Sequence, residues 1–142
     1  MIYLDSSCIV RLYFEDPGFE AVRQLAATDL IACAQHGRVE VISALHRKRR
    51  EGILSDSLYQ IALEQFTLES DAGALTWLPL SRLVFERIAR TYRTLPPEVF
   101  LRSADAMHLA CSAENALRDI YSNDQHLLAA APHFGIRGVN VI

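Results

Sequence analysis

The sequence predicts an α/β domain on a mostly parallel central sheet of five strands. Short apolar runs recur at "IYLD" (2–5), "LIAC" (30–33), "ALTWLPL" (74–80), "DIYS" (119–122) and "GVNVI" (138–142). Longer segments with helical spacing and capping signals separate them. Strands alternating with helices are the pattern of parallel βαβ units. The 142 residues, 51% hydrophobic and 22% charged, suit one domain spanning 1–142.

Each element has a local reason. After the first strand, "SCIVRLYF" (7–14) reads as a helix that stops before "EDPG". Asp16 and Pro17 read as an N-cap and first helical position, opening a helix to about Ala27. Helices follow at 36–51, with Val41, Ala44, Leu45 and Lys48 near one face, and at 56–71, ending near Gly73. Ser81 can cap a helix running to about Thr94, and Pro96–Pro97 then break the chain. Ser103 is the expected cap of the helix beginning "SADAMHLA". "SNDQ" (122–125) matches the capping box S-x-x-Q, with Ser122 at the cap of a short helix.

Composition narrows the function. A net charge of −3 provides no global basic field, so nucleic-acid binding must rest on a local patch. Cys8, Cys33 and Cys111 are widely spaced in apolar contexts, which excludes a disulfide framework and a Cys-rich zinc site. A reducing cytoplasm is the expected compartment. "MIYLDSS" has no basic segment followed by an apolar one, so no signal peptide is expected. No apolar run approaches the roughly 20 residues of a membrane helix.

Ligand sites in open α/β sheets form outside the carboxyl ends of the strands. Asp5 ends the first strand and Asp124 follows the fourth. Asp105 and Asp124 each sit in a Ser-x-Asp at a helix start, where the helix dipole favours an ionised acid. Glu40, in "GRVEVISAL", flanks the apolar stripe of its helix. Singly, each has an ordinary reading as a capping or solvated acid. Converging at one end of a parallel sheet, they could not all ionise without a cation. Hard oxygen ligands with no nearby cysteine suit Mg²⁺ or Mn²⁺, which serve phosphoryl chemistry.

The same residues carry a family resemblance. "YLDSSCIVRLYF", "VEVISALHRKRREGIL", "SADAMHLACSAEN" and "IYSNDQHLLAAAPHFGIRGVNVI" resemble, in order and spacing, a PIN-domain ribonuclease, most of all the VapC toxins of type II toxin–antitoxin modules. The resemblance implies a three-layer α/β/α fold with a PIN-like sheet. It implies a Mg²⁺- or Mn²⁺-dependent endoribonuclease with Asp5, Glu40, Asp105 and Asp124 as catalytic, metal-holding acids. The family's two hydroxyl positions fall on Ser7 and Ser122, as supports behind the acids. RNA as substrate, a cognate antitoxin partner and a homodimer are also implied. Two departures stand out: Cys33 and Ala34 replace a common Ser or Thr near the second strand's end, and "SND" replaces Thr-x-Asp.

Substrate contact needs positive charge, and "HRKRR" (46–50) shares the helix of Glu40. Arg47 and Lys48 lie nearest to its side and are the expected phosphate contacts, although cations also suit a helix C-terminus. His108, one turn from Asp105 on the polar side, and His126 are expected to be structural or peripheral. Trp77 and Tyr92 are expected in the core or an interface. Three rivals remain. An Asp-nucleophile phosphatase would want an acid where Ser7 stands, and a well-placed lysine. A binding-only domain would have lost its acids. An RNA-processing nuclease outside a toxin–antitoxin system would keep them.

Overall fold

Ile2–Leu4 is three residues long, yet it forms the central strand, β1. It can do so because both its faces are covered: Tyr3 packs into one core and Leu4 into the other. That alternation is the two-residue period of a strand. The same alternation places Cys33 and Ala34 of β2 (Ile31–Ala34) on opposite faces. The computed structural model describes residues 1–142.

The chain continues from β1 through α1 (Ser6–Tyr13) and α2 (Phe19–Ala26) to β2, then α3 (Gly37–Arg50), α4 (Asp56–Asp71) and β3 (Leu75–Leu78). It continues through α5 (Arg82–Thr94), α6 (Ser103–Glu114), β4 (Asp119–Tyr121), α7 (Gln125–Ala130), a 3₁₀ turn (Ala131–Phe134) and β5 (Arg137–Val139). All five strands are parallel, in the order β3-β2-β1-β4-β5. Helices α1 to α4 supply the core on one face, and α5 to α7 that on the other. The fold is therefore a three-layer α/β/α sandwich. Its large buried side chains include Leu4, Ile9, Phe66 and Leu109. Burial of each contributes roughly 1.5–3 kcal/mol.

The order of the strands decides where a site can form. From β1 the chain steps outward to β2 and β3; it then returns to the far side of β1 for β4 and β5. The direction reverses between β1 and β4, and a crevice opens at the carboxyl ends of such neighbours. Asp5 follows β1 directly and Ser122 follows β4 directly.

Three helix starts differ from the sequence expectation. Asp16 does not cap α2, because its carboxylate is paired with Lys48. The turn falls instead on Gly18, whose φ of 86° costs glycine little. Arg102, not Ser103, is the N-cap of α6, without a side-chain cap. Asp124, not Ser122, caps α7, its Oδ1 accepting from the amides of His126 and Leu127. The expected strand 138–142 is Arg137–Val139. No helix is long and apolar enough to cross a membrane, and the three cysteines are free and buried.

Candidate active site

A cleft of about 1050 Å³ opens at the β1/β4 reversal. Asp5, Glu40, Asp105 and Asp124 all line it, together with Arg47, Arg50 and Arg102.

Asp5 is the most constrained of the acids. It caps α1 through Oδ1, which accepts from the Cys8 amide at 2.9 Å and the Ser7 hydroxyl at 2.7 Å. Its Oδ2 accepts from the Ser122 hydroxyl at 2.5 Å. Ser122 is fully buried, and its Oγ in turn accepts the Asp124 amide at 2.9 Å. One hydroxyl thus ties the end of β1 to the start of α7. Ser7 and Ser122 both stand directly behind Asp5.

Asp105 and Asp124 come together through a residue the sequence reading missed. Arg102 donates from Nε to Asp105 at 2.8 Å and from a terminal nitrogen to Asp124. Burial raises the Asp105 carboxyl above its ordinary range despite that guanidinium. Burial also opposes ionisation of Asp124, but the amides of His126 and Leu127 and then Arg102 outweigh it and hold that carboxyl low. The signal for Arg102 was present in its position, three residues before Asp105 and so in reach of the same turn.

Glu40 stands apart from the other acids. Its Oε2 lies 2.7 Å from His108 Nε2 and 3.9 Å from His36 Nε2. Burial pushes the Glu40 carboxyl up; the hydrogen bond from His108 leads the groups that pull it down, and the net direction is down. His36, Glu40 and His108 bring one ligand atom each to within 4.8 Å of one another. The 2.7 Å separation of Glu40 Oε2 and His108 Nε2 is that of a hydrogen bond.

His108 is not on a polar face as the sequence suggested. It is 2% exposed, with Nδ1 2.8 Å from the Tyr3 hydroxyl. His126 is peripheral, its ring against Phe100. Trp77 is partly buried against the α1–α4 core, and Tyr92 is exposed. The two expected phosphate contacts separate. Arg47 lines the cleft, whereas Lys48 turns to Asp16 and the Phe14 ring. Arg50, not singled out from sequence, lines the cleft instead.

The donors suit a hard divalent cation. They are carboxylate oxygens, they share one cleft, and two of them already converge on a single positive group. A family model for the PIN domain matches residues 2–132. The chain belongs to the PIN domain family.

PIN domains as a family are nucleases that hydrolyse phosphodiesters. Solved structures agree on the fold. VapC20 of Mycobacterium tuberculosis, a sarcin–ricin loop cleaving toxin, superposes with a TM-score of 0.71 at 17% identity, over 92% of this chain and 95% of that one. A chain of FitAcB from Neisseria gonorrhoeae gives 0.74 at 16% identity, over 99% and 97%. A chain of VapBC2 from Rickettsia felis, bound to a DNA fragment from their promoter, gives 0.69 at 14% identity, over 99% and 98%. No curated protein matches this PIN domain in sequence.

Proposed function

We propose that this PIN domain is a Mg²⁺- or Mn²⁺-dependent endoribonuclease and the toxin of a toxin–antitoxin module. The observation that carries the reading is that Asp5, Glu40, Asp105 and Asp124 all line one cleft walled by Arg47, Arg50 and Arg102. Asp5, Asp105 and Asp124 would hold the cation, with Glu40 on its α3 side. When bound, the cation supplies activation of water and stabilisation of the charge developing on the phosphoryl and leaving oxygens. The chain's own residues do the rest. Ser7 and Ser122 fix the Asp5 carboxylate by holding both its oxygens. Arg47 and Arg50, on the last turns of α3, supply charge for an RNA phosphate.

The phosphatase alternative loses support from the same geometry. Asp5 accepts three hydrogen bonds and is a poor nucleophile. The chain has a single lysine, Lys48, and its ammonium pairs with Asp16.

The relatives guide the choice of partners. VapC20 is a cleaving toxin, and the FitAB and VapBC2 structures hold DNA. We extend to this chain an antitoxin partner and a homodimeric state. The decisive experiment is cleavage of a pool of structured RNAs by the purified protein with Mg²⁺, Mn²⁺ or EDTA, beside an Asp5→Asn/Asp105→Asn variant. Cutting that needs the metal and disappears in the variant is the expected result. Absence of both cutting and Mn²⁺ binding in the folded wild type would sink the proposal.

A further inference from the structure

A buried chain of hydrogen bonds runs from the sheet to the cleft. The Ala34 amide donates to the Tyr3 hydroxyl at 2.9 Å. That oxygen already accepts one hydrogen bond, so its own O–H is best spent on His108 Nδ1, 2.8 Å away. An Nδ1 that accepts leaves the ring proton on Nε2, which donates to Glu40 Oε2 at 2.7 Å. Every polar atom from Ala34 to Glu40 is then satisfied.

The ring is fixed on its other sides as well. Tyr3 stands edge-on to it, with centroids 5.9 Å apart and planes at 84°. His36 lies against it at 4.2 Å, and Cys33 Sγ is 3.9 Å from Nδ1. Gly37 completes the slot: a Cβ there would stand 3.2 Å from His108 Cε1 and 2.5 Å from Cys33 Sγ. Gly37 and Glu40 share the first turn of α3, while His108 belongs to α6. The missing Cβ lets α3 approach α6 closely enough for Glu40 to reach His108.

Core packing alone does not account for this residue. An imidazole with 2% exposure is costly to bury unless both nitrogens are paired. An apolar side chain would fill the same slot without that cost. The partner of Nε2 is a carboxylate that lines the cleft.

We infer that His108 is a positioning residue for Glu40, with Tyr3 setting its tautomer, so that Glu40 meets the cation in one fixed orientation. This rests on the acid-cleft reading above. Groups behind metal-holding side chains typically alter metal affinity by about 10–100-fold.

The test is a double-mutant cycle in Mn²⁺ affinity, read by titration calorimetry or by the spin-resonance signal of free Mn²⁺. It uses wild type, His108→Asn, Glu40→Gln and the double variant, each checked for folding by circular dichroism. The expected result is roughly tenfold weaker binding for His108→Asn, with no further loss when it is added to Glu40→Gln. His108→Gln, whose amide can donate to Glu40, should recover part of the affinity. Equal losses in both backgrounds would show a merely structural effect and overturn the inference, as would no loss at all. If His108→Asn does not fold, Tyr3→Phe takes its place in the cycle under the same criteria. Asp5→Asn separates the two readings. Unchanged Mn²⁺ affinity in Asp5→Asn and Glu40→Gln together refutes the acid cleft, whereas a loss in Asp5→Asn with a flat cycle refutes only the role of His108.

Discussion

Replacing Arg102 with glutamine removes the guanidinium that bridges Asp105 and Asp124. On the proposed acid-cleft reading, this group would compete with the cation for the two carboxylates. Its strength follows from its surroundings. The Arg102 side chain is 53% exposed, and its partners Asp105 and Asp124 are 11% and 27% exposed. A pair of that kind is screened by water and contributes about 0.2–1 kcal/mol. Two pairs together give roughly 0.4–2 kcal/mol, and 1.4 kcal/mol is a factor of ten. Arg102→Gln is therefore expected to bind Mn²⁺ about two- to thirtyfold more tightly than wild type. Calorimetric titration at pH 7.5 measures this directly. That pH matters, because loss of Arg102 removes the main group that opposes the upward push of burial on Asp105. Unchanged or weaker Mn²⁺ binding by a folded Arg102→Gln protein would refute the competition.

Two further predictions concern the packing around α3. Burial and the neighbouring His108 hold the His36 imidazole down to about 4 from 6.5, so the folded state keeps it neutral where the unfolded chain would protonate it. Between those values the unfolded state binds more protons, and stability falls as pH drops from 6.5 towards 4, by at most about 3 kcal/mol. Urea unfolding at pH 7.5 and pH 4.5 should show a steeper loss for wild type than for His36→Gln; parallel behaviour would contradict it. Gly37→Ala drives a methyl to 2.5 Å from the fully buried Cys33 sulfur. It should destabilise by about 1–3 kcal/mol, with partial recovery in Gly37→Ala/Cys33→Ala, and a wild-type melting temperature for the single variant would refute the clash.

The residue types that report their own local structure were legible. Helix α5 is legible at its start because Ser81 is a side-chain cap whose geometry depends only on the next three residues, and the structure shows Ser55 doing the same for α4. Caps with competing partners were misread. Asp16 was drawn to Lys48, 32 positions away, and the Ser122 hydroxyl was drawn to Asp5, 117 positions away. Lys48 is expected as a phosphate contact because it lies near Glu40's side of the helix, and only packing shows that it turns to Asp16.

Sequence by itself determined the alternation of elements, and hence an α/β fold on a mostly parallel sheet, because apolar period and capping are properties of neighbouring residues; the three layers followed from the PIN-domain resemblance. It also marked the four acids, since a carboxylate beside an apolar segment is conspicuous in one dimension. Tertiary structure decided their company. Arg102 bridging two acids, His108 behind Glu40, and Ser122 joining Asp5 to the Asp124 amide are contacts made where β4 returns beside β1 and where the first turn of α3 reaches His108 of α6. Such contacts depend on which strand crosses to which side, and residues distant along the chain carry no local pattern that records it.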